Sequence, residues 1–336
     1  MIIIPSFLLF QACSDFNSPT DVSEEITGKS IDNARAKQGV PDGVVYNEFN
    51  RNYYQAVNTA GLTWDEANEA AESMPQIKGC KPHLATITSS NEQAWIESTF
   101  PQAITGGYWL GGKQADGAAD PAADWGWVTG ETWLYTNWNT SSFEPNDFNG
   151  EEEESLQFLP AAYDGGGTGG WNDAQFDGLG YYDINGDFIS GVDGYLVEWD
   201  CKVIVTGGGN IGGHVGLNAQ KSMDTSVKGQ ASVVINSVLG DVNVHLNVSC
   251  LAVWDNRSWI GGTITKSGDE EIFESGLEYW LSLVDNGQGA AAENDQNGFI
   301  FLYAADSGGS NRCALQLDGG NAGVLFDFEK GNIQVH

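Results

Sequence analysis

Nine of the twelve tryptophans in this 336-residue chain fall between Trp64 and Trp199, and the 137 residues after Trp199 hold the other three. A length of 336 exceeds the usual reach of one hydrophobic core, so two domains are the default. The uneven tryptophans say that their two cores are built differently. The chain is 41% hydrophobic with 44 glycines, neither disordered nor membrane-embedded in composition.

The formal charge of −32 removes one class of partner. So acidic a surface repels phosphate backbones, and the 14 Lys and Arg form no basic stripe, which excludes nucleic acid. Most of the acidity reads as solvated surface.

One group of oxygen donors stands apart from that background. Glu144-Pro145-Asn146 is followed by four glutamates at 151–154 and then by Trp171-Asn172-Asp173. Ca²⁺ takes six to eight oxygens and mixes carboxylates with amide carbonyls, and both kinds are present. A proline between two donors permits a cis bond that turns both toward one point.

Local signals place these donors on loops. Thr63 with Glu66 forms a capping box, and Trp64, Ala67, Ala70 and Ala71 recur on one helical face that Pro75 ends. A second helix is expected from Ser89 or Ser90, with Ala94, Trp95 and Phe100 inward and Pro101 as its stop. From Tyr108 onward, short apolar strands alternate with Gly, Asp and Asn, which leaves the Glu144 and Glu151 clusters on long loops. Farther on, Val242, Val244, Leu246, Val248 and Cys250 alternate with polar residues, the period of a half-buried strand. Similar strands and turns to the end predict an all-β sandwich over 203–336, entered through Gly207-Gly208-Gly209.

Ordered fragments over 45–201 carry a family resemblance. They include Leu62-Thr63-Trp64-Asp65-Glu66-Ala67, Glu92-Gln93-Ala94-Trp95-Ile96, Tyr108-Trp109-Leu110-Gly111-Gly112, Trp125-Gly126-Trp127, the two donor motifs, and Gly194-Tyr195-Leu196-Val197-Glu198-Trp199. In register they resemble a C-type lectin-like domain, which implies an α+β fold over 41–202 with two helices, antiparallel strands and long loops. The resemblance assigns Ca²⁺ to Glu144, Asn146, Asn172 and Asp173, with a fifth ligand from the glutamate run: Glu153 by register, Glu152 as the runner-up. It implies that Glu144, Asn146, Glu153 and Asn172 also bind sugar hydroxyls, and the Glu-Pro-Asn order implies mannose-type glycans. A second ion position near Asp147 and Glu154 would draw on 114–124. Through Cys250-Leu251-Ala252-Val253, Trp259-Ile260-Gly261-Gly262 and Val284-Asp285-Asn286-Gly287, residues 203–336 resemble a bacterial secreted β-domain without assigned chemistry.

Cysteine arithmetic follows the same division. Five cysteines leave one over from two disulfides; Cys80 with Cys201 and Cys250 with Cys313 are the expected pairs, free thiols being the alternative. Residues 1–13 resemble a secretion signal whose Leu9-Phe10-Gln11-Ala12-Cys13 is similar to a bacterial lipobox. Cys13 would then carry lipid, 14–40 would be a tether, and the protein would sit on a bacterial cell surface or outer membrane, or be secreted. Asp183-Ile184-Asn185-Gly186-Asp187 reads as a polar turn, since no distal glutamate completes a calcium loop. With four histidines and no nucleophile motif, an enzyme is not expected. An adhesin that binds protein or ice without a sugar is the alternative to a lectin.

Overall fold

The computed structural model describes residues 39–336 except 151, 164–165, 176–180, 183–187, 190, 211–212, 238–239, 288–291, 299 and 317–325. Cys13, the signal segment, nearly all of the tether and the 183–187 turn lie outside the described residues.

The first lobe is built on an eight-stranded sheet. Its strands are β1 (Val45–Tyr46), β2 (Tyr53–Asn58), β3 (Lys81–Leu84), β4 (Trp109–Gln114), β5 (Trp125–Trp127), β6 (Ser155–Phe158), β7 (Trp171–Ala174) and, after the short pair β8 (Tyr181–Tyr182) and β9 (Phe188–Ile189), β10 (Gly194–Asp200). The order is β1-β2-β10-β4-β6-β7, with β3 on β10 and β5 on β4. All seven residues of β10 are buried, and it pairs with β2, β3 and β4. A strand covered on both faces reads as a continuous apolar run. Here that run is broken by Glu198 and Asp200.

Three helices pack beside this sheet. Helix α1 (Trp64–Glu72) starts at the Thr63 capping box and buries Trp64, Ala67 and Ala71. Helix α2 (Ser90–Thr99) starts at Ser89, but it turns Glu92, Gln93 and Ile96 inward, and Ala94 is exposed. The expected apolar face was therefore misassigned at Ala94, because polar anchors inside the lobe orient the helix. Pro101 ends α2 and also opens α3 (Pro101–Thr105), using its fixed φ at a first helical position where no N–H is needed. Disulfide Cys80–Cys201 ties the strand after α1 to the end of β10.

The second lobe is one ten-stranded sheet. It comprises β11 (Val203–Asn210), β12 (Gly213–Lys221), β13 (Val227–Ser237), β14 (Gly240–Trp254), β15 (Arg257–Ser267), β16 (Glu278–Val284), β17 (Gln296–Asn297), β18 (Phe301–Tyr303), β19 (Phe326–Asp327) and β20 (Lys330–Val335). The order runs β19-β17-β16-β15-β14-β13-β12-β11-β20, so its two edge strands are separated by two residues of chain. The sheet therefore curls until its ends meet, around Val205, Leu217, Val233, Leu246, Ile260, Leu283, Phe328 and Ile333. This corrects the sandwich expectation: the unit is β-rich, but a single curled sheet replaces two stacked ones. Gly207-Gly208-Gly209 lies within β11, paired on both sides. A Cβ on Gly209 would meet the Phe328 ring at 2.3 Å, so glycine is required where the ends close. Cys250–Cys313 bridges β14 to the 3₁₀ turn Ser310–Leu315.

The lobes are in contact. Asp255 N–H donates to Phe49 O at 2.8 Å, Arg51 donates to Asp255 O at 3.2 Å, and Phe49 stacks on Trp254 at 5.2 Å. Among the described residues no helix is long and apolar enough to cross a membrane.

Candidate functional site

Asp173 organises the donor loop. It is fully buried on β7, opposite Leu156 on β6. Its carboxylate accepts from Asn146 N–H at 2.9 Å and from Asp147 N–H at 3.0 Å, drawing the Glu-Pro-Asn loop onto the strand. The Glu144–Pro145 bond is cis. Asn139 braces the loop from behind: its N–H donates to Trp171 O at 2.9 Å, its O accepts from Glu144 N–H at 3.1 Å, and its Oδ1 accepts from Ser142 N–H at 3.1 Å.

The other donors meet here to different degrees. Asn146 Nδ2 donates to Glu144 Oε2 at 2.5 Å, and Glu144 also hydrogen-bonds Asp173. Glu153 accepts from Phe148 N–H at 2.8 Å, and its own N–H donates to Asp147 Oδ1 at 3.3 Å. Glu152 is exposed. Asn172 is half-buried beside Asp173, and its side chain makes no hydrogen bond among the described residues. Near the second ion position expected from Asp147, Glu154 and 114–124, Glu154 faces Lys113 at 3.9 Å and Gln114 turns its amide onto Asp120 O and Ala123 O.

Electrostatics mark the cluster. Burial, then the hydrogen bond and charge of Asp173, push Glu144 up to about 9; burial and neighbouring acids push Glu153 up to about 7. Asp173 is raised by burial, against the loop N–H groups that hold its charge. Asn146 Oδ1 is buried and accepts no hydrogen bond. An orphaned acceptor among three crowded carboxyls is a costly arrangement that a cation would relieve. The oxygen-only donor set suits Ca²⁺. Nevertheless, among the described residues no three His, Cys, Asp or Glu side chains are grouped tightly enough to hold an ion. Each carboxylate is engaged by a loop N–H or by a neighbouring side chain.

Tryptophans support this loop from below. Trp171, two residues before Asp173, lies 5.7 Å from Trp127, 5.8 Å from Trp133, 5.9 Å from Trp138 and 5.6 Å from Tyr135. Its Nε1–H donates to Gln93 Oε1 at 3.0 Å, which explains why α2 turns Gln93 inward.

A second buried group was missed by sequence reasoning. Tyr54 Oη lies 2.6 Å from Glu92 Oε1 and 2.7 Å from Glu198 Oε1. A phenol has one proton, so it donates to one carboxyl and the other must be protonated to donate to it. Burial, followed by the charge of Glu198, accordingly raises Glu92 well above the carboxylate range, and burial with Asp200 pushes Glu198 up to about 7. Beside them, burial opposes a charged His83, but its hydrogen bond to Asp200 at 3.1 Å and the Asp200 charge lift it to about 9. The available signal was Glu198 and Asp200 inside the apolar run of β10, where a carboxylate needs buried partners. This network faces a cavity of about 320 Å³ between the lobes, whose far wall includes Val227, Leu251 and Val253. Glu198 takes Asn52 Nδ2 at 2.8 Å and Thr86 N–H at 3.0 Å, and Glu92 takes Thr88 N–H at 2.9 Å, so both carboxyls are committed to structure.

Among solved structures, the chain is similar to the C-type lectin CEL-I from Cucumaria echinata, with 20% identity, 48% of this chain and 98% of that chain covered, and a TM-score of 0.33. It is likewise similar to the EPNH mutant of CEL-I (21%, 48% and 97%, 0.34) and to CEL-IV (21%, 48% and 95%, 0.32). No family model and no curated protein matches the chain.

Proposed function

We propose that the first lobe is a Ca²⁺-dependent carbohydrate-binding domain with a mannose-type preference. The observation that carries this reading is the buried, donorless Asn146 Oδ1 beside Glu144 and the Asp173-anchored loop. Glu144, Asn146, Glu153, Asn172 and Asp173 would hold the ion: three carboxylates and two amides, formally −3 around +2. When bound, Ca²⁺ would offer its remaining positions to vicinal hydroxyls of a pyranose. The chain's own part is to orient those hydroxyls, with Glu144 and Glu153 accepting from them and the Asn146 and Asn172 amides donating to them. Asp173 fixes the loop that carries the first two. Two hydroxyls bury little area, so single-site binding would be weak and useful binding multivalent. We place the protein outside the cell or on its surface, with Cys13 as the lipid anchor, as the N-terminal resemblance implies.

A glycan array with and without EDTA tests the reading, repeated on Glu144→Gln/Asn146→Asp. EDTA-sensitive, mannose-competed binding that the double variant loses or shifts toward galactose supports it. A double variant that keeps both binding and preference sinks it. One observation favours a second reading, a protein-binding adhesin: Phe143 and Phe148, on either side of the loop, are 84% and 65% exposed. Binding that survives EDTA would select it.

A further inference from the structure

We infer that the second lobe sets the geometry of the donor loop, with Lys221 as the positioning residue. Lys221 ends β12 but projects into the first lobe, where its Nζ lies 2.7 Å from Glu131 Oε1 and 3.5 Å from Asp200 Oδ1. One turn farther on, Thr225 Oγ1 donates to Thr129 O at 3.0 Å. The second lobe therefore grips residues 129–131 twice. Glu131 passes the grip inward, its other oxygen accepting from Thr86 Oγ1 at 2.8 Å and from Thr129 Oγ1 at 3.1 Å.

What is gripped leads directly to the site. Residues 131–137 belong to no strand or helix, so no ladder holds them in register. Trp133, two residues after Glu131, packs 4.4 Å from Trp127 and 5.8 Å from Trp171. The segment then joins β7 through Trp171 N–H to Asn137 O at 2.7 Å and Asn139 N–H to Trp171 O, and Asn139 O holds Glu144 N–H. An irregular segment pinned at both ends transmits position; released at one end, it frees the tryptophan packed on Trp171 and the backbone bracing Glu144. The second lobe thus has a role that its own residues do not reveal.

The binding consequence rests on the calcium reading, whereas the structural half does not. Removing Lys221 alone would strand the partly buried Glu131 charge, whereas Asp200 keeps His83 at 3.1 Å, so the test variant is Lys221→Met/Glu131→Gln, with Thr225→Val as a second, milder release. Hydrogen exchange of the full chain should show the amides of Asn139, Glu144, Asn146, Asp147 and Trp171 exchanging on the order of tenfold faster in the double variant, and about fivefold faster in Thr225→Val. Calcium titration should show affinity weakened by a comparable factor. A control, Val233→Ala in the second-lobe core, matches the loss of global stability without touching the grip. Unchanged exchange at those amides in both release variants overturns the inference, as does an equal acceleration in the control. A wild-type chain that takes up no calcium removes the ion reading, and the exchange comparison still decides this one.

Discussion

Asp173 shows what one residue contributes when two kinds of demand meet on it. Its charge is held by two backbone N–H groups of the donor loop, so Asp173→Ala leaves Asn146 and Asp147 amides without their acceptor. Hydrogen bonds to a charged group are worth about 1.5–3 kcal/mol each, with partial recovery from water, so the variant should lose about 2–4 kcal/mol in urea unfolding. Asp173→Asn keeps an acceptor oxygen and should lose less, about 1–2 kcal/mol. Both should abolish any rise in melting temperature on adding Ca²⁺, and a substituted protein that keeps the rise would remove Asp173 from the ion's ligands. At this scale the sequence was legible as to which side chains meet, since Glu144, Asn146 and Asp173 are joined through Asn146 by hydrogen bonds. It was silent on Asn139 and Gln93, whose roles depend on which strand comes alongside.

Elements were readable to the extent that their ends are decided locally. Thr63 and Glu66 exchange hydrogen bonds across the first turn of α1, a contact set by four consecutive residues. Thr63→Ala should therefore cost about 1 kcal/mol in chemical denaturation, and a loss below a few tenths would mean that packing of Trp64 alone fixes the helix start. Helix α2 was foreseen but not its rotation, because Glu92 and Gln93 answer to Tyr54 and Trp171, far away in sequence. Strand alternation over 242–250 likewise predicted which side chains face in, though not how the sheet closes, since pairing of β11 with β20 joins segments about 125 residues apart. That closure has its own test. Gly209→Ala drives a methyl into the buried Phe328 ring and should cost about 1–3 kcal/mol by overpacking, read from the urea midpoint.

Across the whole molecule, buried carboxyls and one imidazole set how stability follows pH. Glu198 has a folded value of about 7 against an ordinary 4.5, so folding favours its protonated form. That contribution is complete below about 4.5 and is lost as pH rises through 7. His83 has the same sign: lifted from 6.5 to about 9, it stabilises fully below 6.5 and is lost as pH rises through 9. Glu92, Glu144 and Glu153 are raised as well and add in that direction in the absence of metal. Asp200 alone has the opposite sign, and both it and Lys221, which shares the sign of His83, act outside the window. Asp200 is depressed by Lys221 and His83 despite its burial, so its share is lost only as pH falls below the ordinary carboxylate range, and Lys221, raised by Asp200 and Glu131 against burial, holds its charge through alkaline pH. With a formal charge of −32, self-repulsion grows in the same alkaline direction. The chain in EDTA should therefore be most stable near pH 5 and lose stability steadily to pH 9.5, on the acid side of the usual optimum. Urea unfolding at pH 5, 7 and 9.5 measures this, and Glu198→Gln should make the loss from 5 to 7 shallower, the share of Glu92, Glu144 and Glu153 remaining, while leaving the loss above 7 in place. A chain whose stability instead rises from pH 5 to 7 would mean that Tyr54 does not hold a shared proton between Glu92 and Glu198, and that both carboxyls are ionised in the fold.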